Sequence, residues 1–291
     1  MSDGELQSDL NLNLTLDLLV RTIGELPVAP VVLARAIQLT SDTESDIKEL
    51  ARILGADQSL SAKVLRLSNS PYYGRLRTVT SITEALQVLG FDTVRTVTIA
   101  ASTHSAFLDL SQDPQSRTLW QHSICTAVGA RKLAAEFRHG DMEVAYIAGL
   151  LHDIGKLVTN TRAPHLFEKI VLEVVTSGRA FCDVENELLE FNHADIASLL
   201  LANWNFPSQL VKAVQLHHRL GLPPSPSANQ LSQIIALADN IAIRLGICFA
   251  GQIPASIVWK IAERGTELDE LRLQTLAESI RIAYEAEIAM F

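Results

Sequence analysis

Cysteine is scarce. Three occur in 291 residues, Cys125, Cys182 and Cys248, far apart and without a CxxC spacing. That excludes a disulfide framework and fits reduced thiols packed as small apolar side chains. Long apolar runs are missing as well. No 18 uninterrupted apolar residues occur, and the nearest candidate, 234–250, carries Asp239, Asn240 and Arg244, which argues against a membrane span. The start, MSDGELQSDL, is acidic and polar, the reverse of a secretory signal. Positive charge is in deficit, with 24 lysines and arginines against 33 aspartates and glutamates, a net charge of −9. Such a chain repels phosphate backbones and anionic lipid as a whole, so nucleic-acid contact would need a local basic patch. Repeats of fixed period and low-complexity tracts are absent. The expectation is an acidic, cytoplasmic protein with no membrane partner.

Alternating β-type patterns are also rare, and 94–100 (VRTVTIA) is the one segment that invites a strand. It runs without a breaker into 102–108, so it is read as helix. Elsewhere the apolar period is helical: Leu50, Ile53 and Leu54; Leu60, Val64 and Leu67; Leu210, Val211 and Val214; Ile234, Ile235, Ala238 and Ile241. Start signals precede several of these runs, at Ser45 or Asp46, at Asp57 and at Pro207-Ser208. With 48% apolar residues the chain can bury a substantial core. The fold class is all-α, with about a dozen helices by the periodicity. Residues 1–17 read as a flexible leader. The polar segment 109–115 (DLSQDPQ) is the best internal boundary, and proline-dense 221–227 (GLPPSPS) is a second break.

The strongest chemical signal is AYIAGLLHDIGKL, 145–157. His152 and Asp153 adjoin among apolar neighbours at a helix end, where imidazole and carboxylate can converge on one ion. Ala145, Ala148 and Gly149 are small enough for another helix to approach. Lys156 follows, where an ammonium can hold a phosphate or neutralise the carboxylate. A second pair, His217-His218, closes the helix that begins near Ser208 and extends its apolar stripe. Asp239 lies between Ile235 and Ala242 on an inward face, and a buried carboxylate needs a partner or a cation. His122 sits on a helix over about 115–137, near Cys125 and Thr126. His193 begins a helix in FNHADIASLL. Taken singly, each fits a core residue satisfied by a hydrogen bond or cap; taken together, they leave that reading and a metal site evenly balanced. His104, His139 and His165 lack such context and are assigned to surface or packing.

At these residues the chain resembles the HD superfamily of metal-dependent phosphohydrolases. The upstream blocks LPVAPVVLARAIQL, LARILGADQSLSAKVLRLSNSPYYG and SITEALQVLGFDTVRTV narrow the resemblance to the HDOD family, the HD-related output domain of bacterial signalling proteins. WQHS, LLHDIGK, HADIASLLLANWNFP and HH follow in that family's order. The resemblance spans about Leu18 to Asp239. It implies a two-lobed helical fold, with an N-terminal helical lobe over 18–108 and an HD-type lobe with C-terminal covering helices over 109–291. Many members have lost the HD ligands and act as regulatory modules, whereas this chain keeps residues at each position. The metal ligands implied are His122, His152, Asp153, His193, His217, His218 and Asp239, enough for one or two ions of Fe, Mn, Zn or Ni. Asp153 and Lys156 take the catalytic roles if the protein hydrolyses phosphate esters. The Gly-Tyr-Pro motif of the related cyclic-di-GMP phosphodiesterases does not follow the double histidine, which reads HHRLGLPPSPS. Thr118 stands where some dinuclear relatives carry a glutamate, so that activity is not expected.

Regulatory binding is therefore the first reading, with a signalling protein or a small phosphate-containing, nucleotide-like ligand as partner and a second copy of the chain as a further candidate. A metal-dependent phosphohydrolase is the alternative. A helix-turn-helix over 46–69 ranks third. The stretch 46–77 carries Lys48, Arg52, Lys63, Arg66, Arg75 and Arg77 against Asp46, Glu49 and Asp57. However, Leu60, Val64, Leu65 and Leu67 occupy much of the would-be recognition helix, as expected of an αα-hairpin. Tyr72 and Tyr73 in NSPYYG suit an inter-helix loop. Trp259 and Glu263 belong to the C-terminal region expected to cover the HD-type lobe.

Overall fold

The computed structural model describes residues 35, 36, 39, 44–56, 58–69, 78–110, 114–219, 229–249 and 270–289. The leader 1–17, Tyr72, Tyr73, the 221–227 break, Trp259 and Glu263 lie outside them. Among the described residues every regular element is α-helical and none is a strand. In chain order they are α1 (Glu44–Ala56), α2 (Gln58–Ser68), α3 (Ile82–Leu89), α4 (Phe91–Leu110), α5 (Pro114–Glu136), α6 (Met142–Leu151) and α7 (Ile154–Arg162). There follow α8 (Pro164–Ser177), α9 (Phe181–Leu189), α10 (His193–Asn203), α11 (Ser208–Gln215), α12 (Asn229–Arg244) and α13 (Glu270–Ile288). No helix among the described residues is long and apolar enough to cross a membrane.

The apolar stripes seen in the sequence assemble two cores. Leu50, Leu54, Leu60, Val64, Leu67, Ala85, Val94, Val97 and Ala101 close the smaller one, contributed by α1 to α4. The buried row of α2 therefore faces α4 and the rest of this bundle. Asn69 fixes the chain after α2: its amide donates to Val79 O (2.8 Å), and Val79 N–H donates back to its Oδ1 (2.7 Å). Ser81 then caps α3 by accepting from Glu84 N–H (3.1 Å), while the Glu84 carboxylate accepts from Thr80 N–H (2.9 Å). Gly90, at φ +83°, turns the chain from α3 into α4.

Helix α4 contains the ambiguous VRTVTIA. Its β-branched residues are tolerated because burial rewards them and because threonine hydroxyls fold back on the helix: Thr98 Oγ1 donates to Val94 O (2.7 Å), and Thr103 Oγ1 donates to Ile99 O (2.8 Å). The helix also serves both cores, with Ile99 and Ala100 turned to the larger one. The 109–115 break is shorter than expected. Asp109 and Leu110 extend α4, Pro114 opens α5 at a position where its missing N–H costs nothing, and 111–113 lie outside the described residues.

The larger core is organised around α5, which packs against α6, α12 and α13. Small residues allow this. A Cβ on Gly149 of α6 would stand 2.8 Å from Thr126 O and 2.9 Å from Ala127 Cα. A Cβ on Gly129 would stand 3.2 Å from Ala238 Cβ of α12. Helix α13 is held through a buried polar group. Arg131 stacks 3.8 Å above the Tyr146 ring and reaches Glu143 (3.2 Å), and the Tyr146 hydroxyl donates to Glu287 (2.5 Å).

Gly149→Ala tests the close approach. The added methyl meets the α5 backbone at Thr126 and Ala127, so we expect a loss of about 1–3 kcal/mol in urea unfolding. Gly140→Ala, whose Cβ meets nothing within 4 Å, serves as the control and should change stability by less than about 0.5 kcal/mol.

Candidate metal centre

Seven side chains singled out in the sequence come from five places in the fold and meet in one buried spot. His122 projects from the middle of α5, and Asp239 from α12, flanked by fully buried Ile235 and Ala242. His152 and Asp153 form the joint between α6 and α7 rather than part of a continuous helix. His152 is the C-cap of the first, and Asp153 the N-cap of the second. The Asp153 side chain makes no capping bond. An N-cap aspartate that caps nothing forgoes about 1 kcal/mol of helix stability, and here its carboxylate turns inward instead.

His193 opens α10, placed there by a complete capping box between Asn192 and Asp195. The His217-His218 pair corrects one expectation. Helix α11 ends at Gln215 with Leu216 as C-cap, so the pair lies in the following turn. The tightened turn, with His217 N–H on Val214 O at 3.5 Å, brings the two rings to 3.9 Å between centroids. His122, His152, Asp153, His193, His217 and Asp239 are buried, and His218 is half-buried.

The donor atoms fall into two groups that share Asp153. One joins Asp153, His193, His217 and His218; the other joins His122, His152 and Asp153, with ligand atoms in each within 4.8 Å of one another. Asp239 adds to the second, its Oδ1 lying 3.1 Å from His122 Nε2 and 4.0 Å from His152 Nε2. Asp153 Oδ2 lies 3.5 Å from His122 Nε2 and 3.4 Å from His152 Nε2, while its Oδ1 lies 3.1 Å from His193 Nε2.

What aims these atoms is a set of bonds on the far side of each ring. The Nδ1 of His122 faces Ile247 O (2.8 Å), that of His152 faces Gly149 O (2.8 Å), and that of His217 faces Val214 O (2.6 Å). A carbonyl only accepts, so each Nδ1 carries the proton and each Nε2 presents its lone pair inward. His193 Nδ1 meets the Glu185 carboxylate at 2.5 Å with the same consequence. Buried Nε2 atoms of His152 and His217 have no hydrogen-bond partner. His122 and His193 Nε2 face carboxylate oxygens, so acceptor confronts acceptor unless a cation or proton lies between them. This donor set fits a metal: imidazole nitrogen and carboxylate oxygen, oriented and desolvated.

The charges agree. Three buried carboxyl groups, Asp153, Asp239 and Glu185, stand around one ammonium, Lys156, whose Nζ is 2.7 Å from Asp153 Oδ2 and 4.9 Å from the Phe181 ring centre. Burial works against the Asp153 carboxylate, but His152, Lys156 and His193 outweigh it and hold its pKa well below the usual range. Asp239, also opposed by burial, is drawn down to about 2 by its bond to His122. Against burial, Asp239 raises the pKa of His122, and Glu185 with Asp153 raises that of His193. Burial and neighbouring rings push His217 down to about 3, and His218 well below its ordinary value.

Lys156 therefore neutralises the carboxylate, one of the two roles its position suggested. The three histidines set apart as surface or packing residues lie elsewhere. His104 packs against Trp120 (4.8 Å between ring centres), and His165 is fully exposed beside Glu168. His139 follows α5 in the turn before α6. The sequence reading missed two residues. Glu185, fully buried, lies four residues after buried Phe181 and next to buried Val184, so the inward-carboxylate criterion that found Asp239 could have found it. Gly155 has no side chain because a Cβ there would stand 2.1 Å from His193 O. It seats α7, and with it Asp153, directly on the start of α10.

The chain belongs to the HDOD domain family, whose family model matches residues 26–220. A crystal structure of a candidate phosphohydrolase from Shewanella amazonensis SB2B is 28% identical, covers 94% of this chain and 96% of its own, and superposes with a TM-score of 0.74. An HDOD domain protein of unknown function from Geobacter sulfurreducens shares the fold at 24% identity and a TM-score of 0.77, with 96% and 98% of the two chains covered. A candidate signal transduction protein from Marinobacter aquaeolei VT8 is 25% identical with a TM-score of 0.70, over 93% of this chain and 60% of that one. Among curated proteins, an uncharacterized protein of Treponema pallidum (strain Nichols) is 25% identical over 269 residues. The match takes in 91% of this chain and about half, 51%, of that relative's length.

The folded-state pKa of His217, about 3 against an ordinary 6.5, leaves the unfolded chain binding the extra proton between those values. Stability from this group is therefore lost as pH falls from 6.5 toward 3. In chelator-treated protein, urea unfolding across that window should fall more steeply for the parent than for His217→Asn. The difference should reach up to about 1.4 kcal/mol per pH unit. Equal slopes would contradict the burial of a neutral His217.

Proposed function

We propose that this chain is a signalling or regulatory HDOD module whose HD-type lobe, 109–291, holds one or two divalent or transition metal ions. The ligands are His122, His152, Asp153 and Asp239 on one side and Asp153, His193, His217 and His218 on the other. The observation that carries this reading is the set of buried Nε2 lone pairs, each fixed by a bond at Nδ1 and turned toward shared carboxylates. Fe, Mn, Zn and Ni all suit nitrogen and oxygen donors of this kind. The separate apolar cores support reading 18–108 as a second lobe, and α4, which enters both, is the element through which metal occupancy is felt there. A phosphate-containing, nucleotide-like ligand or a partner protein would read that state. The half-buried His218 marks the edge of the cage from which a ligand reaches it.

A phosphohydrolase is the second reading, favoured by the sharing of Asp153 between two donor groups. Bound cations would supply the polarisation of a phosphoryl oxygen and an acidified water. Of the chain's own residues, Asp153 would orient the attacking water and Lys156 would offset charge on the substrate. The latter requires Lys156 to turn from Asp153, to which it is now joined at 2.7 Å.

Elemental analysis of protein purified without chelator or affinity tag should find one or two equivalents of a single such metal. His152→Ala with Asp153→Ala should reduce it to background, and metal-free parent protein would sink the proposal. Phosphate mono- and diesters supplied with Mn or Fe decide between the readings. Turnover above the doubly substituted control establishes the hydrolase, and none leaves the regulatory module.

A further inference from the structure

We infer that Glu185 is a positioning residue of this centre, fixing through its carboxylate which nitrogen of His193 carries the proton and where the other one points; the claim rests on the metal-site reading above. Three observations converge on it. First, one oxygen, Oε2, takes both the ring and the backbone of the same residue: His193 Nδ1–H donates to it at 2.5 Å and His193 N–H at 3.0 Å. A single oxygen gripping side chain and main chain fixes the χ1 angle as well as the tautomer, which a carbonyl facing Nδ1 alone cannot do. Second, Glu185 and His193 have no measurable exposure, so water cannot substitute for either bond.

Third, His193 is the histidine whose aim matters most. Its Nε2 lies 3.1 Å from Asp153 Oδ1 and 2.7 Å from His218 Nε2, so one ring sets both the shared carboxylate and the exposed edge of the cage. Its carbonyl is pressed against Gly155, which fixes the backbone on which the ring pivots. The wrong tautomer would place an N–H, rather than a lone pair, toward the bound cation. A buried glutamate whose second oxygen, Oε1, finds no hydrogen-bond partner is costly as packing alone, and a role in orienting His193 accounts for it.

Two measurements test this without turnover. In chelator-treated protein with 15N-labelled histidine, the His193 Nδ1 proton should resonate at low field, as a short bond to a carboxylate requires, and it should vanish in Glu185→Gln. Titration with Zn(II) against a competing chelator should then show Glu185→Gln, which keeps the side-chain volume, binding about 10- to 100-fold more weakly than the parent at unchanged helicity. Equal zinc affinity in the two proteins would overturn the inference and leave the metal site standing. The low-field proton needs no variant, and its absence from the parent would overturn the inference even if Glu185→Gln failed to fold. A parent that shows the proton yet takes up no Zn(II) would sink the metal-site reading, and the positioning role with it.

Discussion

At the buried centre of the larger core stands a conflict that a cation or a proton resolves. Imidazole lone pairs and carboxylate oxygens are brought within about 3–4 Å in a space from which water is excluded. Like-signed partial charges at that distance repel strongly when the surroundings are poorly polarisable. A single ammonium, Lys156, answers one oxygen of Asp153, and, against burial, the neighbouring carboxylates raise the pKa of His122 and His193. A divalent metal does the same work with one particle and no repulsion between imidazolium neighbours. Protons and a bound metal would compete for the same lone pairs, which would couple occupancy of the cage to pH.

The helices bear the cost of this arrangement in small, identifiable places. Asp153 declines to cap α7, Gly149 and Gly155 leave out side chains that would block helix approach, and Glu185 is buried in the interior with one oxygen unpartnered. Each departs from what local stability prefers; Gly149, Asp153 and Gly155 lie on α6, α7 and the joint between them, and Glu185 lies on α9, against the start of α10. The smaller core follows ordinary rules, with a Ser81 cap, a Gly90 turn and continuous apolar stripes. Departures gathered around one spot are the mark of a site that function, rather than folding, has specified.

How far this could be read from the sequence depended on the range of the interaction. Helical periodicity is local, so VRTVTIA could be placed in a helix from its uninterrupted continuation into 102–108, and the stripe of α2 could be read as buried. Inward-facing titratable residues are nearly as local: Asp239 stands out between Ile235 and Ala242, and His122 beside the small Cys125 and Thr126. What stayed hidden was relational. That Gly155 meets the carbonyl of His193, or that Ile247 supplies the acceptor for His122 across 125 residues, has no trace in local composition. The end of α11 at Gln215 was missed because Leu216 continues the apolar pattern past the point where the backbone turns.

The distribution of supports says which histidines can adjust and which cannot. His122, His152 and His217 hang from carbonyl oxygens, neutral acceptors that orient a ring without changing its charge preference. Of the four rings whose Nδ1 contact is described, His193 is the one backed by a carboxylate, which would make its Nε2 the stronger donor toward a cation. His218, half-buried and paired with His193, is the member best able to move. The cage therefore has a rigid wall, made of Asp153 and the carboxylate-backed His193, and a yielding edge at His218. Displacing His218 breaks its contacts with the neighbouring rings of His193 and His217, whereas displacing His193 also removes the contact with Asp153, the carboxylate that the two donor groups share.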